Sequence, residues 1–165
     1  MRLAVETAVL LIFRLTLRPE NLLSMENDMF IPDGNTIDDF KQRAKVIRNF
    51  YRLWKMRHPD QKVYNHSLKA EINIRNISIT ETSSKAAKSY LSTLAVLQLD
   101  VILMAAKKVR AVKPKVGVEN QKNFKEMILM ECELVSIGKV KLTVGVHKKS
   151  SLKIQYCITA INVSP

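Results

Sequence analysis

A chain of 165 residues, 47% hydrophobic and 25% charged, has the length and composition of one folded domain whose core needs no disulfide or metal, which excludes a disordered or collagen-like chain. Its formal charge of +12 is unevenly laid out: residues 41–57, 101–118 and 134–165 hold seven, five and five Lys/Arg without an acidic residue, while the remainder holds ten basic against fifteen acidic residues. A field of that sign attracts phosphate polymers and anionic surfaces and repels basic partners.

The first 24 residues stand apart. Residues 3–13 form a largely apolar run of eleven interrupted by Glu6, well short of the ~20 apolar residues a membrane span needs. Residues 15–24 offer no small-x-small cleavage site for a signal peptide. The segment is expected to be a dispensable extension or an over-extended start upstream of Met25 or Met29, with a targeting sequence or a short amphipathic helix on the domain as the alternatives, and a single globular α+β domain occupies residues 29–165. Asn-x-Ser sequons at Asn65, Asn76 and Asn162 have meaning only in a secreted chain.

Pro32-Asp33-Gly34-Asn35 marks a turn. Thr36 then stands where a helix needs a cap, with Asp38 and Asp39 in the first turn. Ile37, Phe40, Ala44, Ile47, Tyr51 and Trp54 follow at spacings of three and four, which predicts a helix with one buried stripe, ended by His58-Pro59-Asp60. Beside that stripe run Lys41, Lys45, Arg48, Arg52 and Lys55, a ridge about 20 Å long at 1.5 Å rise per residue. No carboxylate is interleaved to give i,i+4 pairs, so the ridge repels itself until an anion joins it.

Across residues 65–80, Ile72 and Ile74 alternate and Ile77 and Ile79 alternate in the opposite phase, predicting one bulged strand or two short ones. Thr82, Ser83 and Ser84 are candidate caps for a central helix reaching about Val109, apolar around most of its circumference. Gln98 and Asp100 interrupt it and exclude a membrane span. Asp100 falls on a polar stripe with Thr93 and Lys107, the place of an edge carboxylate near a lysine. Lys107, Lys108, Arg110, Lys113 and Lys115 form a basic connector ended by Pro114 and Gly117, a loop or a flexible arm able to lie along a phosphate backbone.

Residues 127–134, 139–146 and 152–161 read as three strands separated by hairpin-length gaps, hence an antiparallel meander. Alternation turns Ile128, Met130, Cys132, Leu134, Val140, Leu142, Val144, Val146, Leu152, Ile154, Tyr156 and Ile158 toward the helices. The other face carries Glu131, Glu133, Lys139, Lys141, Thr143, His147, Lys153, Gln155, Cys157 and Thr159. Cys132 and Cys157 thus point to opposite sides, which argues against a disulfide and for a reducing, cytoplasmic compartment. Pairing Val146 with Leu152 would set Thr143 opposite Gln155 and Lys141 opposite Cys157. Glu133, Lys141, Thr143 and His147 would then share one surface: a general acid/base, a hydroxyl and cations for a developing phosphorane charge.

Other chemistries lack their motifs. With four glycines there is no GxGxxG or Walker loop, no GxSxG elbow occurs, and His58, His66 and His147 are too scattered for a zinc site. No cofactor or metal is expected, and His58 and His66 read as surface residues. The order α, β, α and three antiparallel strands, over roughly residues 36–161, is similar to the architecture of the barnase-, RelE- and EndoU-like ribonucleases. No defining motif of those families is present. The resemblance therefore implies metal-free RNA cleavage at the level of architecture and carries over no residue.

The expectation is an α+β domain with two main helices packed on an antiparallel or mixed sheet that ends in a three-stranded C-terminal meander. Its expected function is non-catalytic nucleic-acid binding, to DNA or RNA, through phosphate contacts from the ridge with the 107–115 connector assisting. Aromatic residues are only 6% of the chain, and Tyr51 and Trp54 sit on the buried stripe, which favours backbone contact over base stacking. The alternatives are a small metal-free ribonuclease on the sheet's polar face and a module that docks an acidic protein.

Overall fold

Thr36 begins the first helix as its sequence dictates. In the computed structural model, which describes residues 30–135, 137–148 and 156–163, helix α1 spans Ile37–Arg57. The Thr36 hydroxyl accepts from the Asp39 N–H at 3.1 Å, and the Asp39 carboxylate accepts from the Thr36 N–H at 2.9 Å, a reciprocal capping box. That backbone bond, with the hydroxyl second, holds the Asp39 carboxyl below its ordinary range. His58 closes the helix, its N–H donating to Trp54 O at 2.9 Å. The buried face is broader than one stripe and adds Arg43, Val46, Phe50 and Leu53. Ile37, expected on the stripe, is 72% exposed, so burial starts a turn later.

Strands β1 (Lys62–Asn65) and β2 (Ala70–Asn73) form an antiparallel hairpin. Strands β3 (Lys107–Val112), β4 (Phe124–Leu134), β5 (Gly138–His147) and β6 (Tyr156–Val163) form an antiparallel four-stranded unit. A short parallel link, Ile72↔Tyr156 and Asn73↔Cys157, joins the two in the order β1-β2-β6-β5-β4-β3. The fold is therefore α+β. Helices α2 (Asn76–Ala86) and α3 (Tyr90–Val96) lie over β6, α4 (Leu99–Ala105) lies against β1, and α1 packs on α2 and α3. Trp54, Ile47, Ile72, Leu99, Ile102, Leu103, Met130 and Leu142 are fully buried in one core between these layers.

Four expectations change. Residues 76–80 open α2 and are not strand, although Ile79, Thr80 and Thr82 are weak helix formers; packing against both α1 and β6 overrides propensity. The long central helix is divided, and helices α2, α3 and α4 are joined by turns at 87–89 and 97–98. One helix over residues 83–109 would run about 40 Å and overshoot a ten-residue strand of about 33 Å. The cap of α3 is Ser89, which accepts from the Ser92 N–H at 3.3 Å, whereas Thr82 and Ser83 are buried inside α2. The expected connector is also overturned over 107–112, which form the edge strand β3 rather than a flexible arm.

The register of β6 is the fourth change. Val146 pairs with Tyr156 rather than Leu152, so Thr143 faces Ala160 and Lys141 faces Asn162, with a register shift between Thr143 and Val144. Residues 149–155, Lys153 and Gln155 among them, lie outside the described residues, as do residues 1–29. Cys132 is a free, half-buried thiol, pushed up by its burial and then by Glu133. Asn65 is wholly buried: its amide donates to Leu103 O at 2.7 Å and Ala106 O at 2.9 Å and its oxygen accepts from the Leu68 N–H, capping the end of α4. Among the described residues no helix is long and apolar enough to cross a membrane.

Candidate nucleic-acid interface

Helical geometry places Lys41, Lys45, Arg48 and Arg52 on the exposed side of α1, with Lys55 half-exposed. Fourteen residues separate the first from the last, about 21 Å of helix. Lys41 Nζ stands 3.8 Å from Asp38, a solvated i,i+3 contact at the start of the helix. Lys55 Nζ donates to Asn76 Oδ1 at 2.9 Å, which ties the far end of the ridge to the start of α2. Between these ends, Arg48 and Arg52 form no ion pair among the described residues.

One cation of the same run serves the fold instead. Arg43 is 1% exposed, and its guanidinium donates to Ala87 O at 2.6 Å, Pro32 O at 2.8 Å and Gly34 O at 2.7 Å. It fastens the segment before α1 to the turn between α2 and α3. The signal was legible: Arg43 lies three residues after Phe40 and four before Ile47, on the line of the buried stripe. Counting charge alone passes over it.

The far end of α1 holds a second polar contact. Trp54 Nε1 donates to Asp100 Oδ1 at 2.7 Å. The His58 ring stacks on the indole at 4.4 Å, with Nε2 3.4 Å from the same carboxylate oxygen and Nδ1 3.2 Å from Trp54 O. His58 is thus half-buried rather than a free surface residue, and Asp100 is not an edge carboxylate beside a lysine. Both imidazole nitrogens face acceptor oxygens, and the trio clamps α1 to α4. Thr93 is also buried, donating to Ala86 O and Ser89 O. The break at 97–98 separated Thr93, Asp100 and Lys107, which shared a stripe only on a continuous helix. Between α1 and α2, the hydroxyls of Tyr51, Ser78 and Thr82 are buried, and burial pushes the Tyr51 phenol up, with the Thr82 hydroxyl acting in the opposite sense.

The remaining basic candidates sit elsewhere. Lys107, Lys108 and Arg110 are exposed on β3, an outer edge of the sheet, where charge discourages pairing with another strand. The Lys108 N–H donates to Ser67 Oγ at 2.9 Å, drawing the β1–β2 turn toward this edge. Lys113 and Lys115 are exposed in the loop that follows.

The sheet's outer face does not assemble the expected catalytic set. Glu133 pairs across from Lys139 and Glu131 from Lys141, with Lys139 Nζ 3.7 Å from Glu131. Lys141, Thr143 and His147 follow one another along β5, so the first and last are about 20 Å apart and Glu133 lies farther still from His147. A strand spreads residues that one reacting atom would need within a few ångströms. His147 meets the Phe124 ring edge-on at 5.7 Å, and its Nδ1 lies 3.0 Å from Lys148 O. Among the described residues no group of three or more His, Cys, Asp or Glu is placed to hold a metal ion. No protein-family model, curated protein or solved structure matches this chain.

Proposed function

We propose that this protein binds nucleic acid through the phosphate backbone, without cutting it, and that α1 is the contact element. What supports this reading most is the exposed line of Lys41, Lys45, Arg48 and Arg52, in which the two arginines have no carboxylate partner among the described residues. Like charges at i,i+4 destabilise a helix, and a row of phosphates removes that repulsion. Over the roughly 16 Å from Lys41 to Arg52, one strand of a duplex presents about five phosphates at 3.4 Å per step, enough for each cation to meet one. Tyr51 and Trp54 are buried, so bases have little on α1 to stack upon.

The experiment is a salt titration of binding to labelled duplex DNA and to RNA in EDTA, with cleavage followed in the same samples. Four phosphate contacts predict that log K falls against log salt with a slope of about −3 to −4, with the nucleic acid intact. A flat dependence overturns the reading. Retention of an acidic protein that survives nuclease treatment would move the ridge to carboxylate partners, and cleavage lost in His147→Ala would return attention to the sheet.

A further inference from the structure

The strand register brings a second basic surface to the end of the sheet where the ridge finishes. Resting on the reading that the partner is a phosphate polymer, we propose that the groove under the β3–β4 loop is a second phosphate-binding site, which takes the backbone of the same nucleic acid beyond the reach of α1.

The loop leaves the edge strand, turns at Gly117 (φ +79°), passes one 3-10 turn at Glu119–Gln121 and enters β4. With the end of β5 it encloses an open groove of about 400 Å³ lined by Lys115, Lys122, Lys148, Glu119 and Phe124 among others. Two of the lysines come from this loop and the third from the residue that follows β5. The loop is fastened rather than loose: the Lys115 N–H donates to Gln121 Oε1 at 2.7 Å, the Gln121 N–H to Val118 O at 2.9 Å, and the Lys148 N–H to Asn123 O at 2.9 Å. The one carboxylate in the lining, Glu119, is taken by Lys122. Lys115 and Lys148 form no ion pair among the described residues. Phe124 is locked beneath them over Gly145, where an added Cβ would lie 2.6 Å from its ring. Cations gathered on an apolar floor raise the local potential, and a phosphate oxygen is the ligand that relieves it.

Topology connects this groove to the ridge. Asn73, Cys157, Gly145, Met127 and Val112 are successive partners across β2, β6, β5, β4 and β3. The end of β2 and the groove therefore open on the same end of the sheet, with β2 and β4 three strand spacings or about 14 Å apart. Lys55, the last ridge cation, is bonded to Asn76, and exposed Arg75 precedes it. A backbone that follows α1 thus meets Lys55, then Arg75, then the groove.

The test uses the full chain with two labelled ligands, a hairpin whose stem is about 7 base pairs, matching the ridge, and a duplex of about 20. The variant Lys115→Glu/Lys122→Glu/Lys148→Glu is expected to weaken the long duplex about tenfold or more and to flatten its salt slope by roughly 2–3. The short stem should stay within about threefold of the parent affinity, while Lys45→Glu/Arg48→Glu weakens both ligands. Parent-like binding of both lengths by the loop variant overturns the groove alone, and so does equal weakening of both lengths, the mark of a general field effect. If the ridge variant also binds normally, the reading of α1 falls, and the groove with it. Should the triple reversal unfold the chain, Lys115→Gln/Lys148→Gln carries the same comparison.

Discussion

The exposed face of α1 and the outer face of the sheet are both rich in lysine, yet they manage charge in opposite ways. On the sheet, Lys139 and Lys141 stand across from Glu133 and Glu131, and Lys107 faces Glu131 from the other side. Two carboxylates stand among these three cations, about one strand spacing away, so the fold itself offsets most of the charge on this surface. On α1, Arg48 and Arg52 have no such neighbour among the described residues, and the helix keeps its field. In a protein of net charge +12 one face therefore keeps more of its field than the other, and the difference lies in pairing rather than in the number of lysines.

Substitutions can test that contrast, and the largest effect belongs to the cation that neither face displays. Arg43→Met leaves three carbonyls without their donor, and urea unfolding should show a loss of about 3–5 kcal/mol with the salt slope of nucleic-acid binding unchanged. A changed slope would mean that Arg43 reaches the ligand and that the division between inner and outer cations is wrong. Next comes Lys45→Glu/Arg48→Glu. It should weaken binding about 10- to 100-fold and reduce the slope by about 2.

The same reversal on the sheet, Lys139→Glu/Lys141→Glu, should change binding by less than about threefold. It should cost up to about 1 kcal/mol of stability per pair, because like charges then face each other across the strands. An equal loss of binding from both double variants would dissolve the contrast. The smallest effect concerns acid. The Asp39 carboxyl is held below its ordinary value by the Thr36 N–H and hydroxyl, so its contribution is present above the unfolded value and is lost as pH falls through the folded one. The acid limb of an unfolding titration should therefore move to lower pH in the parent than in Asp39→Asn. Coincident limbs would show that the capping box adds nothing.

Much of this was legible from residues a few positions apart. Thr36, Asp39 and the three-and-four spacing of Phe40, Ala44, Ile47, Tyr51 and Trp54 dictate where α1 starts and which side it buries, because caps and stripes depend on neighbours within a turn or two. The strict alternation of Val140, Leu142, Val144 and Val146 likewise set the buried face of β5. The catalytic cluster expected on the sheet failed for a geometric reason: sharing a face constrains only direction, and strand rise then separates Lys141 from His147. Asp100 shows the same limit from the other side. Its partner Trp54 is 46 residues away, and nothing in the spacing around either residue points to the other.

By itself the sequence determined the α+β class, the charge distribution, the limits and exposed ridge of α1, and the antiparallel order of the last strands. These follow from local sterics, capping and hydrophobic period, which act within one element. The tertiary structure alone decided that the central helix breaks into three, that β2 meets β6 in parallel, that β6 pairs from Tyr156, and that one arginine of the basic run turns inward to three carbonyls. Each of those outcomes depends on which distant surface is available for burial, and burial against the sheet outweighs the fractions of a kilocalorie by which single residues prefer helix or strand.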